Sequence, residues 1–454
     1  MIRTAGRALA TGVIGALAGA VCAVILYAWH PAIVMEFDRD LPTNLTGIYP
    51  PERDDRSRLT FAWTGADAVV RLPGLDRRAA WTLTLRVRGG REVAADNPDL
   101  TILADGIPVG TLHTTAAFED LHAAIPAAPD HRGLILELHA SRTVVPGPRD
   151  RRALGAMLDR LELAPNGAVL LPRPAIRAAA ASSAALGAAV ALLGVTAGSA
   201  IGGTLLLAAG DGAIVGRGLG PFSAYPATVW LLGVWIAAAL AIAAIALEHG
   251  RRQPLRNTAR FAVAFSACAL FLKLLVLLHP DMPIGDAMFH AHRFENVVAG
   301  HLYFTSIAPG GYSFPYAPGL YVFSWLFSGL VTRGAGDVAL LRIVTSSVDA
   351  VAALLLYRAI VIAWSDRLAG AAAVALYHLI PLEFAVFTTA NLTNAFAQSV
   401  SVAALWLMAS PRMRLQHAGA AAALMFVLLA AYLSHASTFA ILFVSTVVVA
   451  VLFR

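Results

Sequence analysis

Stretches of about twenty apolar residues recur along the chain, and they constrain its fold more than any other feature. A helix of that length crosses the hydrocarbon core of a bilayer. In lipid the backbone must satisfy its own polar groups, so such stretches become helices rather than irregular chain. The runs fall near 8–27, 175–193, 195–210, 226–247, 257–279, 318–332, 338–363, 368–387, 391–409, 416–433 and 436–453. The chain of 454 residues is 58% hydrophobic and only 14% charged, whereas soluble domains are about 25% charged. These runs predict a membrane α-helical bundle of about ten or eleven spans.

One long polar interval interrupts the series, between 36 and 172. Within it "WTLTLRVRG" at 81–89 alternates with period two and reads as a strand. "LTILADGIPVGTLH" at 100–113 reads as two strands around a turn at Asp105 and Gly106. "LILELHA" at 134–140 and "AMLDRLELAP" at 156–165 are further strands. Trp63 and Trp81 alternate in phase with core positions. Short strands, turn signals and no helical pattern predict an inserted all-β jelly-roll or sandwich domain. Three regions result: a membrane anchor helix at 1–35, a β-sandwich at 36–172 and a multi-spanning helical domain at 173–454.

The net charge is +6, but the basic residues cluster in short loops between apolar runs. That is the positive-inside pattern of a membrane protein, not a nucleic-acid surface. It places "EHGRRQPLRNTAR" at 248–260 and "SPRMR" at 410–414 in the cytoplasm. The first run, preceded by Arg3 and Arg7, starts like a signal peptide but lacks a clean cleavage site, so it reads as an uncleaved anchor. The expected location is the plasma (inner) membrane, multi-pass, with the β-domain and the 280–317 loop outside. Crossing parity then requires 175–210 to be a hairpin and makes 318–332, which opens among prolines, re-entrant or tilted. The two cysteines, Cys22 and Cys268, sit in apolar runs and read as small hydrophobes rather than a disulfide.

The outer loop carries the chemistry. In "HPDMPIGDAMFHAHRFENVVAGHLYF" at 279–304, titratable groups crowd just beyond a span. Asp286, His290 and Arg293 share one face of a short interfacial helix closed by Gly300. Asp281 is a second candidate carboxylate; its alternative is a helix-end cap. Asp286 and His290, one helical turn apart, also leave a divalent metal ion open as a ligand. The following 300–327 stretch is rich in tyrosine, proline and glycine, including Tyr316 and Tyr321, and also suits an aromatic belt. His435 stands alone between two spans on the outer side. Asn391, Asn394 and Gln398 lie in an apolar region, where inter-helix hydrogen bonding is the plain reading.

Read together, D-x-x-x-H-x-x-R-x-x-x-x-x-x-G-x-x-Y from Asp286 and Y-x-P-G-L-Y from Tyr316 resemble the first outer loop of GT-C superfamily glycosyltransferases. Protein O-mannosyltransferases and the lipid A aminoarabinose transferase belong to that superfamily. The similarity covers roughly 257–410 and includes the arginine-bearing "LLRIVTSSVDAVAALLLYRAI" at 340–360. It implies a polyprenyl-phosphate sugar donor, an extracytoplasmic glycan, lipid or protein acceptor, and Asp286 as the catalytic or acceptor-orienting carboxylate; Asp281, nearer the end of the span, ranks second by position. His290, Arg293, Tyr316, Tyr321 and His435 become substrate-binding candidates, Arg293 because a guanidinium fork matches phosphate. No definite cofactor follows from it, and a divalent metal ion at Asp286 and His290 stays open. The rival functions are a transporter, which would show inverted repeats, and a non-catalytic envelope scaffold with a carbohydrate-binding-like domain.

Overall fold

The computed structural model describes residues 2–38, 41–54, 58–249, 255–307, 311–410 and 418–452. Helix α1 (Ile2–Trp29) leads into ten strands: β1 (Ile33–Glu36), β2 (Leu45–Ile48), β3 (Glu52–Arg53), β4 (Thr60–Asp76), β5 (Trp81–Arg88), β6 (Asp99–Ala104), β7 (Ile107–His113), β8 (Glu119–Ile125), β9 (Arg132–Ala140) and β10 (Met157–Pro165). The chain then returns to helix. It forms α2 (Arg173–Leu192), α3 (Ala197–Val215), a 3-10 turn (Gly220–Phe222), α4 (Tyr225–His249) and α5 (Asn257–Leu277). A short helix α6 (Ala287–Val298), the hairpin β11 (Thr305–Ile307) and β12 (Ser313–Pro315), and helix α7 (Gly319–Trp325) follow. The rest is α8 (Ala335–Trp364), α9 (Arg367–Leu379), α10 (Pro381–Thr388), α11 (Leu392–Ala409), α12 (Ala418–Tyr432) and α13 (Ala436–Leu452).

Among the described residues eight helical segments are long and apolar enough to cross a bilayer, α9 and α10 counting as one, and α12 and α13 are shorter apolar helices. Length and composition thus make this a multi-pass membrane protein. The 318–332 run adds no crossing: α7 has seven residues, a rise of about 10 Å against a core of about 30 Å. The 368–387 run breaks at Pro381, which has no N–H to continue α9. Thr196 caps α3 by accepting from Ser199 N, closing the tight α2–α3 hairpin. That hairpin packs closely on α1; a Cβ at Gly19 would collide with the Ala179 carbonyl. Cys22 and Cys268 are free. The basic residues Arg251, Arg252, Arg412 and Arg414 lie outside the described residues.

All strand pairs in the insert are antiparallel, in the order β7-β6-β9-β4-β10-β5-β8, with β1 joined to β10 and β2 and β3 joined to β4. The 17-residue β4 bridges both halves, pairing with β9 through Asp67 to Leu72 and with β10 through Ala62 and Trp63. This closes the sheet almost completely on itself. Strand β5 alternates buried and half-buried residues along its whole length, as its sequence pattern requires. The Asp105–Gly106 turn takes positive φ at both residues, 55° and 79°, as a tight hairpin demands. Trp63 and Trp81 are both buried in the core.

The β-domain core is completed from the helical part. Tyr27, Leu219 and Phe222 pack among Ile33, Leu83, Leu85 and their neighbours. Phe222 meets the rings of Tyr27 and Trp81 edge-on, with centroids 5.7 and 6.3 Å away. Gly74 lets the sheet touch the 3-10 turn, where a Cβ would strike the Pro221 carbonyl. The β-domain is therefore seated on the end of the bundle formed by the end of α1 and the α3–α4 connection.

Candidate functional site

The connection after α5 reaches that same end. Asp281 Oδ2 accepts from Leu219 N at 3.2 Å, and His279 lies 3.2 Å from the Arg217 carbonyl. Arg342 of α8 fixes the end of α5 by donating to the Leu277 and Pro283 carbonyls at 2.6 and 2.9 Å. A guanidinium at the open carbonyls of a helix C-terminus is favourably placed. These ties leave Gly285, at φ +50°, to turn the chain into α6. Asp286 sits at the N-cap without a capping bond. Its carboxylate is exposed.

His290, one turn on, is the centre of the cluster. Its ring is 2% exposed, and Nδ1 lies 2.7 Å from the Tyr321 hydroxyl. A second bond ties the imidazole to the backbone of Ala390, in the α10–α11 turn. Burial pushes the imidazole down to about 4, so it is neutral near pH 7. The neutral ring therefore donates to the carbonyl and accepts from the phenol. Charges on Asp286, His435 and Arg293 all bear on His290. Tyr316 lies beside it, with ring centroids 6.3 Å apart, and its hydroxyl is 3.4 Å from Thr393 Oγ1 of α11. Burial raises the Tyr316 phenol, and Tyr321 is raised well above its ordinary value for the same reason.

Arg293 has work of its own. Its guanidinium donates to the carbonyls of Thr305, Tyr303 and Tyr316 at 2.8, 2.7 and 3.3 Å, and stacks over the Tyr316 ring at 5.3 Å. Three of its five N–H groups thus hold the β11–β12 hairpin against α6. Two of its N–H groups remain beyond these bonds, beside the clamp it makes. His435 joins from the α12–α13 connection, half-buried, its Nδ1 2.7 Å from Ser437 Oγ. Burial lowers its imidazole below the ordinary range. That connection is pinned to α7 by Gly319 N, which donates to the Leu433 carbonyl at 2.6 Å.

Asp286, His290, Arg293, Tyr316, Tyr321 and His435 therefore gather in one place from α6, the stretch after β12, α7 and the α12–α13 connection. Asp281 is engaged elsewhere, with the 217–219 turn. Asn394 and Gln398 bond to each other at 3.3 Å. Among the described residues no group of three His, Cys, Asp or Glu side chains could hold a metal ion. Asp286 and His290 stand as a pair only, and the imidazole is already bonded on both sides.

Beneath the cluster runs an apolar groove of about 800 Å³ between α7, α8, α11 and α12. Leu302, Phe304 and Gly319 form its upper end, Phe323 and Phe396 its wall, and Phe426 reaches down α12. A second apolar groove of about 580 Å³ lies between α3, α5, α9 and α10. Lys273 and His378 line it.

Sequence reasoning missed the polar network inside the bundle. Lys273 Nζ and Asp349 Oδ2 are 2.6 Å apart, with side chains 7% and 3% exposed. Tyr377 donates to Asp349 Oδ1 at 2.7 Å, and the lysine lies 4.2 Å from the centre of the Phe387 ring. The signal was available: a lysine and an aspartate each interrupt an apolar run, and such residues face partners inside the bundle. Asp211 of α3 is similarly buried, accepting from Ser182 and Ser183 of α2.

No family model, curated protein or solved structure matches the chain.

Proposed function

We propose that the protein is a membrane glycosyltransferase that moves a sugar from a polyprenyl-phosphate donor to an acceptor hydroxyl on the β-domain side of the membrane. The observation that carries the reading is an exposed carboxylate without a capping bond, Asp286, in a polar cluster whose chain neighbours Pro318, Gly319, Val322 and Leu433 line an apolar groove. A lipid tail in that groove would bring its phosphate to the level of Tyr316, Tyr321 and His435. Asp286 takes the proton of the acceptor hydroxyl as its oxygen attacks the anomeric carbon. The bond from that carbon to the phosphate oxygen breaks, and polyprenyl phosphate leaves with inversion. His290, neutral and bonded on both sides, locks α6 so that Asp286 keeps its position. Two remaining Arg293 N–H groups and the His435 ring are the available donors to the leaving phosphate.

One observation favours a rival. An intramembrane ion pair beside a broken helix, Lys273 and Asp349 next to the α9–α10 break, is also a transporter feature. The two readings separate on a photoactivatable polyprenyl-phosphate probe added to the purified protein. Glycosyl transfer requires labelling in α7, α8, α11 or α12 that unmodified polyprenyl phosphate competes away. Labelling confined to α3, α5 and α9 would contradict the assignment of the donor groove.

A further inference from the structure

From Leu302 to Thr332 the chain holds no Asp, Glu, Lys, Arg or His. A loop on the watery side of a membrane protein is ordinarily charged. Here the side chains that face outward are large and apolar. Leu326 and Leu330 are 67% and 79% exposed, and Val322, Trp325, Leu302 and Phe304 are exposed as well. So large a contiguous apolar surface marks an interaction face rather than a solvated one.

Its position says what covers it. Helix α7 does not lie across the ends of the bundle but beside them. The Phe323 ring is 5.4 Å from that of Phe396, four residues into α11, about 6 Å below its first residue. Val348, Val351 and Leu355 of α8 line the same groove as Trp325 and Leu326. The outward face of α7 thus continues the lipid-facing surface of the spanning helices. Several backbone N–H groups of this segment also find carbonyl partners within it or beside it. Val322 N donates to the Pro318 carbonyl, Leu326 N to Phe323, Phe327 N to Ser324 and Leu330 N to Phe327. Non-spanning chain survives in hydrocarbon only when its polar groups are met in this way.

We infer that α7 and the turn after it, residues 319–330, form a lip inserted into the bilayer leaflet on the β-domain side, its partner being the lipid acyl region. Tyr303 and Tyr312, both exposed, mark its upper border. Leu302, Phe304 and Leu326 rim the groove beneath, so a chain can pass from leaflet to groove along an unbroken apolar surface. This inference stands apart from the proposed chemistry, since it concerns where the segment sits and not what it transforms.

Site-directed spin labelling of the full chain in phosphatidylglycerol–phosphatidylcholine vesicles tests it. Cys22→Ser and Cys268→Ala clear the background, and labels go on Leu326→Cys and Leu330→Cys. Val444→Cys on α13 is the lipid reference and Ile107→Cys on β7 the aqueous one. Both lip labels should collide with oxygen at least several-fold more readily than with a water-soluble nickel chelate, as at Val444→Cys. The nickel-dominated pattern of Ile107→Cys would overturn the inference. Low collision with both reagents would also overturn it, by showing protein, such as a second copy, packed over the face.

Discussion

Arg293 offers the sharpest contrast between a ligand-binding side chain and a structural clamp. It holds the β11–β12 hairpin through three backbone carbonyls and a ring. Water reaches those carbonyls once they are freed, so each bond is worth about 1 kcal/mol net rather than its full strength. Stacking on Tyr316 adds about 0.5–1 kcal/mol at a half-exposed position. The clamp then contributes about 3–4 kcal/mol, which corresponds to roughly 10²–10³-fold in the opened fraction of the hairpin. Arg293→Ala should therefore speed amide hydrogen exchange in 303–316 by about that factor with no substrate present. Arg293→Lys should fall between, because an ammonium is a point donor without the planar fork. Unchanged exchange in Arg293→Ala, together with loss of donor binding, would refute the clamp and restore the phosphate role.

The buried Lys273–Asp349 pair makes a second prediction. Lys273→Met strands a buried carboxylate and should cost about 3–5 kcal/mol of stability, and Lys273→Met with Asp349→Leu should recover much of it. Thermal unfolding in detergent reads both, and equal losses would contradict the pairing. Residues 33–165 expressed alone lack Tyr27, Leu219 and Phe222 from their core, so they should give a β-rich circular dichroism spectrum with a melt below that of the β-domain in the full chain; a helical spectrum would contradict the strand assignment. Within the β-domain of the full chain His139 is raised above its ordinary value, chiefly by its hydrogen bond to Asp67, with Glu137 adding to it. A raised folded value means that the contribution is complete below about pH 6.5 and fades as pH climbs through the folded midpoint. NMR titration should show the midpoint drop in Asp67→Asn, and an unmoved midpoint would remove Asp67 as the cause.

What could be read from the sequence was local. The β5 alternation and the Asp105–Gly106 turn depend on neighbouring residues, and the structure has both. The span runs were legible because hydrocarbon imposes length directly on sequence. Strand β4 was not, because its two ends serve different partners and its pattern changes phase midway. The titratable residues of 279–304 stand out in the sequence by their crowding, but their contacts do not. Asp281 finds its partner 62 residues upstream, and Arg293 finds carbonyls on a hairpin whose path no local pattern specifies. Lys273 and Asp349 are 76 positions apart, so each looked like an isolated polar residue in an apolar run.

In the proposed reaction Asp286 is the proton acceptor. Asp286→Asn keeps the shape of the side chain and removes the base. Transfer from polyprenyl-phosphate sugars by the purified protein should fall about 10²–10⁴-fold, while donor binding, measured separately, stays unchanged. Asp281→Asn should keep close to the original rate, since its carboxylate bonds the Leu219 backbone. Full transfer by Asp286→Asn would remove that residue from the mechanism, and a dead but folded Asp281→Asn would move the chemistry to the other carboxylate.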